Sequence, residues 1–319
     1  MTDDGDRSDA APARRERPGG SRSRSGAGSN RAPDYVVIGH ICGDIQPDGS
    51  VMLGGTAWYS AVAAARLGWR VGILTRGRYD VTIDGHVVPP LNLGDDRIQI
   101  VVEEAEWPTF FINDYSSGRR TQQITRWAGP IDLRGLPAGW RSPRVMHLGP
   151  VAQEIDTRQT SGINPRFLGT TPQGWMRDWP RSTGGRVKNI PLRLPRDFMS
   201  QLDSIVVNDE EFVHSRDTVQ SIGKAGYGVV TLGSGGAQAF TPQGMITEPA
   251  FPLQVDDPTG AGDVFATAFF CRMTEPDASV EDALRYANAA AGLSVAGKAR
   301  HIPSRQAIKR LLDRHAREG

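Results

Sequence analysis

The residues of this chain best suited to chemistry lie in one run, Asp257-Pro258-Thr259-Gly260-Ala261-Gly262-Asp263, which passes straight into the apolar segment Val264 to Phe270. Two glycines and a small residue between them let a backbone turn come close to a ligand. A helix that follows would aim its unpaired N–H groups and the positive end of its dipole at the same point. That makes a pocket for an anion with a carboxylate at its edge. A phosphoryl group held by Gly260, Ala261 and Gly262 would sit beside Asp263, placed to take the proton of a substrate hydroxyl. The same residues also read as a glycine-rich start to a helix in which Asp263 caps its own backbone.

Such a turn needs a scaffold. Tyr35-Val36-Val37-Ile38-Gly39 is a continuous apolar run of the kind buried on both faces of a parallel sheet. A helix is predicted over Thr56 to Leu67, closed by Gly68, and a second apolar run follows at Val71 to Leu74, completing a strand, helix, strand unit. Further strands are predicted at Val145 to Leu148, Phe167 to Thr170, Ser204 to Val207 and Gly228 to Leu232. Helices are predicted at Asp209 to Phe212, Thr218 to Ala225, Gly260 to Arg272, Val280 to Ala296 and Ser304 to His315. This alternation implies a doubly wound α/β fold, with a mainly parallel central sheet flanked by helices.

Two stretches break the rhythm. One is a hairpin pattern from Ile45 to Met52 around Pro47-Asp48-Gly49. The other is the series Ile98 to Val102, Thr109 to Ile112 and Thr121 to Thr125, short β-rich pieces between polar turns. Read as antiparallel strands, segments 45–53 and 98–126 would form a small β lid over the carboxyl edge of the main sheet, where open α/β folds bind ligands. Residues 34–319 then make up the folded domain.

Residues 1–33 are rich in Arg, Ser, Gly, Asp and Ala without apolar periodicity, and they read as a disordered low-complexity tail. Its arginines suggest an arm for nucleic acid, but Asp3, Asp4, Asp6, Asp9 and Glu16 offset much of their charge, so a solvated tail is preferred. The formal net charge of +1 argues against nucleic acid or an anionic membrane as partner. With Cys42 and Cys271 as the only cysteines, a disulfide framework and a cysteine-rich zinc site are both excluded, and a cytoplasmic location is expected. No apolar run reaches the length of a membrane span. The six histidines show no metal-ligand spacing, and Trp107, Trp127, Trp175 and Trp179 are candidates for lining a lid or a packed loop.

The chain has no Gly-x-x-x-x-Gly-Lys-Ser/Thr loop, and its first strand is not followed by Rossmann glycine spacing. The run from Asp257 to Asp263 instead resembles the C-terminal signature of the ribokinase-like (PfkB) carbohydrate kinases. Leu53-Gly54-Gly55-Thr56-Ala57 is similar to the family's N-terminal Gly-Gly element, and also reads as a turn that starts a helix. Asn208-Asp209-Glu210-Glu211 resembles the family's Asn-x-x-Glu motif, and is equally what a capped helix start requires. Thr231-Leu232-Gly233-Ser234-Gly235-Gly236 resembles the glycine turn beside the nucleotide phosphates, and Ala287-Asn288-Ala289-Ala290-Ala291 the helix bordering the adenine.

The resemblance implies an ATP-dependent kinase that transfers the γ-phosphoryl group to a hydroxyl of a sugar or cyclitol. In that reading Asp263 is the base, with Gly260, Ala261 and Gly262 as the anion hole. Asp44, Gly54 and Gly55 bind substrate. Asn208, Thr231, Gly233, Gly235, Gly236 and Asn288 bind nucleotide, Glu211 holds Mg²⁺ through water, and Asp257 adjoins a K⁺ or other monovalent cation. Only nine residues separate Asp44 from Gly54, too few for the lid arm of ribokinase. Together with Thr109 to Gly118 and Gly129-Pro130-Ile131, this is nearer the myo-inositol kinase branch. There Gln173 and Arg177, in Gln173-Gly174-Trp175-Met176-Arg177, are further substrate-side groups. The expected partner is a small-molecule polyol, with the chain a monomer or homodimer. Two alternatives remain: a nucleoside kinase on the same fold, and a catalytically silent sugar or nucleotide sensor.

Overall fold

The computed structural model describes residues 31–114, 121–276, 278–297 and 301–318. The predicted tail up to residue 30, and Tyr115 to Arg120 of the predicted lid, lie outside the described residues. The apolar runs form a nine-stranded sheet of β1 (Tyr35–Ile38), β4 (Val71–Gly77), β7 (Ile98–Glu104), β10 (Val145–Leu148), β11 (Phe167–Thr170), β15 (Ser204–Asn208), β16 (Tyr227–Thr231), β17 (Ala237–Thr241) and β18 (Gly244–Glu248). In space the order is β7-β4-β1-β10-β11-β15-β16-β17-β18. Every pair from β7 to β16 is parallel, and β17 and β18 extend one edge as antiparallel strands. The chain leaves β1 for β4 on one side and returns to β10 on the other. A crevice at the carboxyl ends of the strands is expected at such a reversal.

The period of two along each strand sorts side chains onto both faces. Tyr35, Val37, Ile73 and Val145 join one core cluster with residues of α1 (Thr56–Arg66), α4 (Ala261–Met273) and α5 (Val280–Val295). Val36, Ile38, Leu74 and Met146 join another, with residues of the short α2 (Arg196–Met199) and of α3 (Asp209–Gly223). Helix α6 (Arg305–Glu318) closes the described chain. Every residue of α4 from Val264 to Cys271 is buried, so this helix is an interior element rather than an amphipathic cover.

A second sheet has the order β13-β9-β8-β2-β3, built from β2 (Cys42–Ile45), β3 (Val51–Gly54), β8 (Phe110–Asp114), β9 (Thr121–Arg126) and β13 (Gly185–Arg186). Two small ladders complete the description: β5 (Val81–Ile83) with β6 (His86–Val88), and β12 (Arg177–Asp178) with β14 (Lys188–Asn189).

Three expectations are corrected. Ile98 to Val102 belongs to β7 and pairs in parallel with β4 in the central sheet, so the second sheet does not begin at residue 98. As an edge strand β7 is only half-buried, and its mixed pattern resembles that of an exposed antiparallel strand. The sheet also recruits β13, two residues too short to carry a periodic signal. Finally, the two helices predicted at Asp209 to Phe212 and Thr218 to Ala225 are one. Its middle carries an exposed Val213 and polar residues that hide the apolar stripe, while the Asn208–Glu211 capping box holds its start.

Candidate active site

A cavity of 490 Å³ opens where the carboxyl ends of the central strands meet the second sheet. Chain order explains its lining. Val151 follows β10, Thr171 and Gln173 follow β11, and Asn208 and Thr231 end β15 and β16. Cys42 and Asp44 come from β2, Phe111 from β8 and Gln122 from β9. Gly55, Thr56 and Tyr59 come from the start of α1, and Pro258, Thr259, Gly260, Gly262 and Asp263 from the start of α4.

The α4 terminus depends on one glycine. Gly260 is the N-cap in the left-handed region at φ 79°, and a Cβ there would fall on the Tyr59 ring. Gly260 has no side chain to cap the helix; the Ala261 N–H donates to the Pro258 carbonyl at 3.2 Å, and the turn presents Gly260 and Gly262 to the cavity. Asp263 lies in that first turn, where the helix dipole favours a carboxylate. Upstream, Asp257 accepts from the Thr259 backbone N–H at 2.9 Å and its own N–H bonds the Val295 carbonyl, so the run is anchored before the turn begins.

Across the cavity, Asn113 Nδ2 donates to Asp44 Oδ1 at 3.4 Å and Gln122 Nε2 donates to Asn113 Oδ1 at 2.8 Å, a polar ladder over β2, β8 and β9. Gly54 pairs with Cys42 and lies against Asp44, whose Oδ2 would be 2.6 Å from a Cβ at that position. Gln173 donates to Thr56 Oγ1 at 2.9 Å and accepts from Arg177 Nη2 at 2.7 Å. Arg177 is buried, donates to the Val151 carbonyl at 2.8 Å, and lies over the Phe111 ring. Central sheet, α1 and second sheet are thus tied together through one guanidinium. Burial pushes the Cys42 thiol well above its usual range, and Asp44 adds to that effect, so the thiol stays protonated.

Of the predicted residues, the cavity lining brings together Asp44, Gly55, Gln173, Arg177, Asn208, Glu211, Thr231, Gly260, Gly262 and Asp263. Gly54, Ala261 and Asp257 stand directly behind it in the chain. Gly233, Gly235, Gly236 and Asn288 are not on the lining. Asn288 is buried and donates to the carbonyls of Glu248 and Pro249 at 3.0 and 3.1 Å, which ties α5 to the end of β18. Sequence reasoning missed Thr56, Tyr59, Phe111, Gln122, Val151 and Thr171. Position at a helix start could have signalled Thr56 and Tyr59, and position past a strand Val151 and Thr171; Phe111 and Gln122, inside β8 and β9, carry no such signal.

Among the described residues no group of three or more His, Cys, Asp or Glu side chains is placed to hold a metal ion directly, so a divalent cation of the magnesium type would be held largely through water. Asn208, Glu210 and Glu211 offer hard oxygen donors at the cavity, and Glu211 is held in place by its bond from the Asn208 N–H at 3.1 Å.

Residues 189–305 match the pfkB family carbohydrate kinase model, which takes in all of the α4 turn. An ATP-dependent ribose-1-phosphate kinase from Halopiger xanaduensis is 40% identical over 84 residues, 26% of this chain but only 28% of that relative's length. A cytidine kinase from Thermococcus kodakarensis is 24% identical over 246 residues, 74% of this chain and 87% of the relative. A pyrophosphate-dependent kinase in the ribokinase family, solved with a pyrophosphate analogue and myo-inositol, superposes with a TM-score of 0.67 at 20% identity. It covers 86% of this chain and 99% of its own, which establishes the shared fold. With the glycine turn at the mouth of α4, the Gly-Gly element and the doubly wound sheet all in place, the chain has the ribokinase fold, and its residues 189–305 match the pfkB carbohydrate kinase family.

Proposed function

We propose that the protein is an ATP-dependent kinase that transfers the γ-phosphoryl group to a hydroxyl of a sugar or cyclitol, with a myo-inositol-like acceptor favoured. The observation that carries this reading is the uncapped α4 terminus with Asp263 in its first turn, opening on the same cavity as Asp44, Gln173 and Arg177. Asp263 accepts the proton as the acceptor oxygen forms its bond to the γ-phosphorus. The bond from that phosphorus to the bridging oxygen breaks, and ADP leaves. The amides of Gly260, Ala261 and Gly262 take the charge on the transferring oxygens. Glu211 would hold a magnesium ion through water, which would neutralise phosphate charge, and Asp257 would adjoin a monovalent cation. Asn208 and Thr231 lie on the donor side, with the Gly233 to Gly236 turn and Asn288 behind them.

The charges in the cavity bear on the acceptor. Among the described lining residues, Asp44, Glu210, Glu211 and Asp263 stand against one cation, Arg177, which is already committed to Gln173 and Val151. A neutral polyol suits that balance better than a sugar phosphate. Asp44 with Gly54 and Gly55 would bind its hydroxyls, and Gln173 and Arg177 would support them. The second sheet would act as the lid, since positioning in a closed site can supply about 7 to 11 kcal/mol of the barrier.

A nucleoside acceptor is the second reading, favoured by the cytidine kinase alignment over most of both chains. Product formation should be followed with myo-inositol, ribose, fructose and cytidine, each with ATP and with pyrophosphate as donor. Transfer to a polyol from ATP is expected. A faster reaction with cytidine would replace the acceptor assignment, transfer from pyrophosphate alone would replace the donor, and inertness with all of them would leave a silent sensor.

A further inference from the structure

One hydroxyl at the cavity has no part in the proposed chemistry, that of Thr171, and a buried line of hydrogen bonds runs up to it. His147 on β10 is fully buried. Its Nε2 lies 2.9 Å from Thr171 Oγ1 and its Nδ1 lies 2.8 Å from the Tyr35 hydroxyl on β1. That hydroxyl is 3.2 Å from Oγ1 of Thr267, one helical turn beyond Asp263 on α4. Tyr35 and Thr267 are also fully buried, whereas Thr171 reaches the cavity lining together with Thr56 and Gln173. The relay therefore links the helix that carries the proposed base to the acceptor side of the pocket.

Its surroundings are apolar and aromatic: Phe270 stands 5.1 Å from the His147 ring and Trp69 6.4 Å from that of Tyr35, both edge-on. Polar groups in such a layer cost desolvation that apolar side chains would avoid, unless their pairing does something more than hold the layer together. Burial drives the His147 pKa down to about 3, so the ring is neutral, with one N–H and one lone pair. Tyr35 and Thr171 must then meet it with opposite polarity, one donating and the other accepting. A threonine hydroxyl offers one hydrogen and two lone pairs. The ring uses one of these positions, fixes the side chain, and leaves the others for a ligand in the cavity.

We infer that Thr171 recognises a hydroxyl of the acceptor, and that His147 and Tyr35 are positioning residues that hold the Thr171 hydroxyl in place. This rests on the kinase reading above and adds a specificity residue to the same site. Sugars and cyclitols present several hydroxyls, each able to donate and accept, so a neutral relay serves them with either polarity.

The test uses the full chain, ATP, and whichever of myo-inositol, ribose, fructose and cytidine the wild type converts fastest. Thr171→Val is expected to raise the acceptor KM about tenfold while the KM for ATP changes less than about twofold, and Thr171→Ser should recover most of the loss. His147→Gln and Tyr35→Phe should raise the acceptor KM in the same direction. Combined with Thr171→Val, each should add little, because it acts through that hydroxyl. An unchanged acceptor KM in Thr171→Val, or an equal rise for donor and acceptor, overturns the recognition role. If His147→Gln fails to fold, Tyr35→Phe and the two Thr171 variants decide the matter. Relay variants whose effects multiply with Thr171→Val, or that lower only the melting temperature, overturn the positioning role. A wild type inert with all four acceptors overturns the kinase reading and this inference together, whereas an active wild type with an indifferent Thr171→Val overturns this inference alone.

Discussion

The two sides of the cavity are built in different ways. The α4 side is made by one short run, Pro258, Thr259, Gly260, Gly262 and Asp263, whose geometry is set by one left-handed glycine and by a helix buried along its length. The opposite side is made by single side chains from distant places: Asp44 on β2, Phe111 on β8, Gln122 on β9, and Thr171, Gln173 and Arg177 after β11. A local, backbone-built site suits a step common to many substrates, because amides and a fixed carboxylate recognise a phosphoryl group and a proton. A dispersed, side-chain-built site suits discrimination, because each contact can be exchanged without disturbing the turn.

The contrast can be broken most severely at Asp263. Asp263→Asn should lower kcat by about 10²- to 10⁴-fold with a much smaller change in the acceptor KM, as steady-state kinetics would show. Near-normal turnover in a folded variant would remove the base from the mechanism. Next comes the turn. Gly260→Ala puts a side chain into the left-handed region and onto Tyr59, and should cost about 1 to 3 kcal/mol in chemical denaturation together with a loss in kcat. Gly262→Ala meets nothing within 4 Å and should denature like the wild type, so that any rate it loses reports on ligand approach.

On the other side, Arg177→Lys cannot keep both the Gln173 and Val151 bonds. It should lower kcat/KM by about 2 kcal/mol, expressed in the acceptor KM. A loss confined to kcat would mean that the two sides are not separable at this residue.

The smallest effect concerns the layer beneath both. His147, with a folded pKa near 3 against about 6.5 when unfolded, is neutral in the fold and takes up a proton on unfolding between those values. Stability is therefore retained above pH 6.5 and lost as pH falls, by roughly 1.4 kcal/mol per unit from this group. Burial lowers the His40 pKa as well, which adds in the same direction. Urea melts at pH 6.5 and 5.5 on wild type and His147→Gln would isolate the contribution, and equal acid sensitivity in the two would refute it.

Much of this architecture is legible in the chain itself. Runs such as Tyr35 to Ile38 and Val145 to Leu148 are apolar at every position because both faces of the strand are covered, and each emerges as a buried parallel strand. The glycine turn is legible because its chemistry is local. Gly260 must adopt φ 79°, and the carboxylate follows three residues later. The partner sheet of Ile98 to Glu104 was not legible, since a half-buried edge strand carries the same alternation in either sheet. Nor were the hydrogen bonds of Asn288, whose amide donates to two backbone carbonyls at the end of β18.

By itself the sequence determined the fold class and the glycine turn at the start of α4, because burial periodicity and glycine conformation act over a few consecutive residues. Only the tertiary structure decided which side chains line the cavity opposite that turn. Thr171 meets His147 24 residues away and Gln173 meets Thr56 117 residues away, and contacts of that range are set by strand order rather than by local sequence.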